Sequence, residues 1–171
     1  MWDVKTDLFP GGHGEKDAMD SMDKRNNVRI PLQVVIDAVE SADNEWNQFL
    51  DIETMEAVSV PESLFMDNFG DEYRKLSDMI EEEFNSRFFR LPSPYDIHEY
   101  SIMERFIGNL PEGAIQDRLE NAIRGRGAFR RFKDSICWLG IEQEWYDFRE
   151  NAYREIAVEW CEEHGFQFSE P

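Results

Sequence analysis

The chain predicts an α+β domain: a small three-stranded antiparallel sheet with a mainly helical C-terminal half. Three observations carry that expectation. Short apolar runs bounded by turn residues cluster between residues 47 and 91. Apolar residues at helical spacing dominate from Asp96 onward. A length of 171 residues is enough for one core and short for two.

In chain order, residues 1–27 contain GGHGEKDAMDSMDKRNN, polar and glycine-rich without periodicity, and read as a disordered extension. His13 lies there and carries no functional weight. A single domain is expected over residues 28–168. It opens with a helix in PLQVVIDAVESA, with Pro31 at the first helical position and Leu32, Val35, Ile36 and Val39 on one face. Two strands follow, about 47–52 and 57–61, joined by a turn in ETME that lacks the usual glycine. Residues 62–84 read as an acidic helix. Its seven acids and two bases between Asp67 and Glu83 balance at -5. RFFRL at 87–91 is the third strand, ended by Pro92 and joined to the hairpin because two strands alone are marginal.

The rest is helical. Asp96 and Glu99 have capping-box spacing ahead of a face made by Ile102, Met103, Phe106, Ile107 and Leu110. A further helix is expected from Pro111, with Ile115, Leu119, Ala122 and Ile123 inward, ending at Gly125 in a left-handed conformation. The next spans Ala128 to Leu139 and stops near Gly140. The longest runs from Glu142 to His164 and stops before Gly165. Trp145, Phe148, Ala152 and Ile156 keep the spacing of a buried stripe, and Phe129, Phe132 and Trp160 are expected in the core with them.

Composition narrows the function classes. No apolar run approaches the roughly 20 residues of a membrane helix, and no signal-peptide pattern opens the chain, so a cytoplasmic location is expected. Cys137 and Cys161 form no CxxC arrangement and read as reduced, partly buried side chains on helices. The 18 basic and 37 acidic residues give a net charge of -19. Such a surface repels nucleic acid and anionic membrane, so neither is an expected partner.

Against that background stands IRGRGAFRRFKDSI, residues 123–136. Arg124, Arg126, Arg130, Arg131 and Lys133 are five of the 18 cations; without them 13 would face 37 acids, a balance of -24. The stretch lies between two predicted helices. A helix N-terminus after Gly127 would offer unpaired N–H groups, Gly125 and Gly127 would open the backbone, and the arginines would add forked donors. These are the ingredients of an anion site, although the pattern is neither GxxxxGK[ST] nor GxGxxG after a strand, and it implies no cofactor. On a helical wheel Arg130, Arg131, Asp134 and Trp138 oppose Phe129, Phe132 and Ile136. A tryptophan among charges points to a covering layer or to a binding surface. The competing account is internal: these arginines pair with the acids of DMIEEEF or of the last helix, where eight acids meet two bases between Glu142 and Glu163.

SIMERFI from Ser101, GRGAFRRFKD from Gly125, EWYDFR from Glu144 and IAVEWCEE from Ile156 resemble the bacterial uncharacterised protein family 0158. The resemblance spans roughly Val28 to Phe166. It implies no activity and no catalytic residues. At Met55 the resemblance leads one to expect glycine, so the turn there departs from the family pattern.

Chemistry-bearing residues are few. His98, Glu99 and Glu104 lack HExxH spacing, and no serine or cysteine has an evident base, so neither catalytic residues nor metal ligands are assigned. His164 at a helix C-terminus suits the dipole. The expected function is a non-enzymatic binding or regulatory module. Gly125, Arg126, Gly127, Arg130, Arg131, Lys133 and Trp138 would hold an acidic protein segment or a phosphate group. The alternatives are an enzyme acting on a phosphorylated small molecule, and a nucleic-acid-binding protein, which the net charge disfavours.

Overall fold

The expected sheet forms from β2 (Trp46–Asp51), β3 (Glu56–Pro61) and β4 (Phe88–Arg90), with β2 in the centre and both neighbours antiparallel to it. The computed structural model describes residues 28–62 and 70–171, so the predicted extension over 1–27 lies outside the described residues. The side chains alternate as a sheet buried on both faces requires. Phe49, Val60 and Phe88 pack with Ile80 of α2 (Asp71–Glu82). Leu50 and Phe89 point the other way, into a cluster with Leu32 and Val35 of α1 (Leu32–Glu40) and Trp160 of α7 (Glu142–Glu163). The outer edge of β4 is partly closed: Trp160 Nε1 donates to the Arg90 carbonyl at 2.8 Å.

The hairpin turns without glycine. Met55 adopts φ 59°, and its N–H donates to the Asp51 carbonyl at 2.8 Å. Asp51, 3% exposed, fixes the loop from inside by accepting from the Glu53 N–H (2.9 Å) and from both ends of the Arg87 fork (3.0 and 2.8 Å). The hydrogen bonds from Arg87 hold the Asp51 carboxyl below the usual carboxylate range, and the same pairing raises the Arg87 guanidinium.

The helical half comprises α3 (Pro94–Ile97), α4 (Glu99–Asn109), α5 (Ala114–Ala122), α6 (Ala128–Leu139) and α7. Phe106, Phe132 and Trp145 form its centre, with edge-to-face ring pairs at 6.1, 5.4 and 4.7 Å. Among the described residues no helix is long and apolar enough to cross a membrane.

Several local expectations need correction. The first helix begins at Leu32, because Pro31 is its N-cap and ends a three-residue strand, β1 (Arg29–Pro31). That strand pairs in parallel with β5 (Gln167–Ser169), a second small sheet too short to leave a period-two pattern. The acidic helix starts at Asp71, and residues 63–69 lie outside the described residues. The capping box is Ser93 with Asp96, not Asp96 with Glu99: Pro94 starts α3 early, and His98 at φ 53° separates it from α4. Ser93 lowers the Asp96 carboxyl through those hydrogen bonds. Pro111 lies ahead of α5 in a turn completed by Gly113 (φ 147°), and Ile115 is 44% exposed.

On α6, Ala128, Phe132 and Ile136 centre the buried arc. Phe129 falls about 60° from that centre at 100° per residue, and it is 47% exposed. Phe148 is only partly buried at the core margin, while Trp145 and Trp160 are buried as expected. Cys137 is exposed; Cys161 is buried, and burial pushes its thiol up to about 11.

Candidate functional site

The corner between α5 and α6 carries the cation cluster, and its backbone explains the glycines. Gly125 (φ 72°) and Gly127 (φ 80°) both occupy the left-handed region, so two reversals within three residues turn the chain from one helix into the next. Gly127 is also close-packed: a Cβ there would meet Arg131 Nη1 at 3.1 Å.

Arg131 lies against that corner because it closes the end of α5. Its Nε donates to the Ala122 carbonyl at 2.9 Å and its Nη2 to the Arg124 carbonyl at 2.6 Å, while Nη1 donates to the Arg126 carbonyl. Tyr100 adds a hydroxyl donor to the Ile123 carbonyl at 3.1 Å. Carbonyls at a helix C-terminus lack intrahelical partners and carry partial negative charge, so a guanidinium suits them. The same arginine sits in the first turn of α6, where a cation opposes the dipole; its place is explained by α5.

Arg130, one residue earlier, is 90% exposed on its side chain and among the described residues pairs only with Asp134 at 4.0 Å, an i,i+4 contact of surface strength. Among the described residues no ion pair holds Arg124, Arg126 or Lys133, and all three are exposed. The predicted pairing with the acids of α2 or α7 does not form among the described residues. The acids of α7 look elsewhere: Glu155 pairs with Arg105 at 2.7 Å, while Arg149 of the same helix holds Glu99 at 2.8 Å.

No side-chain cap bonds the first N–H groups of α6; the first bond that closes the helix is Arg131 N–H to the Gly127 carbonyl at 3.2 Å. No acidic residue occupies that first turn. Trp138, near the other end of α6, is 70% exposed. Arg118 of α5 lies over its ring, 3.9 Å from the centroid, a cation–π contact that fixes one face of the indole and leaves the rest to solvent.

The structure therefore divides the predicted site residues. Gly125, Gly127 and Arg131 make the corner; Arg126, Arg130 and Lys133 present charge; Trp138 stands at the far end of α6. Sequence reasoning missed Arg118: with Ile115 read as inward, Arg118 falls about 60° from it at the margin of the expected buried face, and nothing local marks it as a partner of Trp138. It also missed a groove of about 400 Å³ beyond Trp138, between the turn at Pro111 and the turn at Gly140.

The residues considered for chemistry are occupied structurally. Glu99 accepts from Arg149 and from the Tyr153 hydroxyl (2.7 Å), and burial raises the Tyr153 hydroxyl above its ordinary range. His98 Nδ1 lies 2.9 Å from Ser101 Oγ. His164 Nδ1 bonds the Trp160 carbonyl at 2.8 Å, at the C-cap of α7.

Among known proteins, a sequence model described as "Uncharacterised protein family (UPF0158)" matches residues 25–170. A UPF0158 protein of Pseudomonas aeruginosa is 30% identical over 67 residues, which are 39% of this chain and 44% of that protein. The alignment thus spans less than half of the curated relative. No solved structure matches the chain.

Proposed function

The chain belongs to the uncharacterised protein family UPF0158, and from that premise we propose that it is a non-enzymatic binding module. Its ligand is an acidic segment of a protein partner, held on the outer face of α6. One observation carries this reading: Trp138, 70% exposed, lies about 80° around α6 from the exposed Arg130, on the same outward side of the helix. An exposed tryptophan beside cations with few carboxylate partners suits a protein contact, where aromatic and arginine anchors supply most of the binding free energy. The body of the molecule is acidic, so steering toward an acidic partner is weak and attraction is confined to the patch, within a Debye length of about 8 Å at physiological salt.

A second reading, a phosphate group at the first turn of α6, is supported by N–H groups after Gly127 that no side-chain cap bonds. Two measurements separate them. A fluorescein-labelled glutamate-rich peptide is titrated against wild type and an Arg126→Glu/Arg130→Glu/Lys133→Glu variant, and melting is compared in phosphate and chloride at matched ionic strength. Peptide binding that the variant loses supports the first reading. Stabilisation by phosphate alone, removed by Arg130→Ala, replaces it with the second. If neither responds to the substitutions, the patch is only a solvated surface.

A further inference from the structure

The outer face of α6 does not end at Trp138. Beyond it lies the groove of about 400 Å³, formed by Leu110, Ala114, Ile115 and Ile141 with Glu112 and Glu144 at its rim. Ile115 is 44% exposed there. Arg118, which lies on Trp138, is three residues from Ile115 on α5, so indole and groove are neighbours across the α5–α6 seam. Two features thus share one surface: exposed cations at the start of α6, and an aromatic step leading to an apolar groove just past its end.

We infer that this surface takes one extended protein segment, with acidic residues on Arg126, Arg130 and Lys133 and a bulky apolar side chain in the Leu110–Ile141 groove. The inference rests on the preceding reading and adds the anchor, the spacing and the order of side chains. Spacing follows from helix geometry. Arg130 and Leu139, the last residue of α6, are nine positions apart, which at 1.5 Å per residue is about 14 Å. An extended chain at about 3.3 Å per residue covers that in just over four residues, so about the fifth reaches the groove. Charge supplies the order. The carboxylates of Glu112 and Glu144 at the groove rim repel an acidic residue beside the anchor and favour a lysine or arginine just past it. The chemistry recognised is therefore an acidic cluster, a short spacer, a leucine or tryptophan, and then a cation. A groove of this volume holds one large side chain and is too small for a whole helix face.

The test uses fluorescein-labelled peptides read by anisotropy against the full chain. The probe has four glutamates, a spacer placing a tryptophan about five residues away, and a terminal lysine. Control peptides move the lysine between the glutamates and the tryptophan, replace tryptophan with serine, or bring the tryptophan directly beside the glutamates. Tighter binding of the probe than of each control by about tenfold is expected, and Ile115→Glu, at an exposed position, should remove that advantage. Circular dichroism and melting of Ile115→Glu confirm its fold; if it unfolds, Ile115→Ser and the serine-for-tryptophan peptide give the same comparison. Equal affinity for probe and controls, with binding still lost in Arg130→Glu/Lys133→Glu, overturns this inference and leaves the acidic-segment reading standing. No binding of any glutamate peptide overturns both.

Discussion

Arg130 and Arg131 are adjacent in sequence, and the structure gives them unrelated tasks, which makes their comparison a sharp experiment. Arg131→Ala removes the donors to the Ala122, Arg124 and Arg126 carbonyls. A hydrogen bond contributes about 0.5–1.5 kcal/mol net. These three lie at an exposed corner where water can replace part of the loss, so the whole clip is worth about 1–2 kcal/mol rather than the full sum. For a domain of this size that is a fall in Tm of about 3–6 °C. Arg130→Ala removes one exposed i,i+4 contact at 4.0 Å and should stay within about 0.5 kcal/mol of wild type. Urea unfolding followed by circular dichroism measures both. Arg131→Lys keeps the charge but not the fork, so it should recover less than half of the loss. Equal stability of the two alanine variants would refute the assignment of Arg131 to the helix end, and would return it to the exposed cation set.

Three further outcomes are expected. Phe132→Ala, which empties the centre of the Phe106–Trp145 ring cluster, should cost about 3–5 kcal/mol, while Phe129→Ala should cost under about 1 kcal/mol, both read by urea midpoint. At Met55, φ 59° strains any side chain, so Met55→Gly should be more stable than Met55→Ala by about 1 kcal/mol; the reverse order would place the strain elsewhere. The Asp51 carboxyl is held low by Arg87, so its contribution is complete above the ordinary carboxylate range and is lost as pH falls through the folded value. Asp51→Asn should therefore be less stable than wild type at pH 7, with the gap closing toward pH 3; a gap that does not change with pH would assign the effect to packing alone.

What the sequence made legible follows from how local each signal is. The three strands of the main sheet, the limits of α6 and the end of α7 each rest on period and punctuation within about a dozen residues, and glycines at 125, 140 and 165 mark turns that any sequence-level argument can find. The β1–β5 pairing joins residues 29–31 to 167–169, and no local pattern encodes a contact over that separation. The capping box was displaced for a related reason: Asp96 can serve Ser93 behind it or Glu99 ahead of it, and Pro94 decides by fixing the backbone that starts α3.

The site divides along the same line. That cations gather at a helix start was readable from residues 124–133 alone. Which of them stay in solvent was not, because Arg131 is spent on carbonyls as distant as Ala122 and the wheel places it beside Arg130. Trp138 shows the converse. Its outward phase was visible in the sequence, whereas its meaning depends on Arg118 and on a groove built from three separate turns and helices. A surface that joins such distant positions also constrains what fits it: the cations fix one end, the groove the other, and the length of α6 the distance between them. A ligand of one charge and no anchor would use half of that surface, which is why the order of charge and bulk along the partner, rather than charge alone, is the property on which binding should depend.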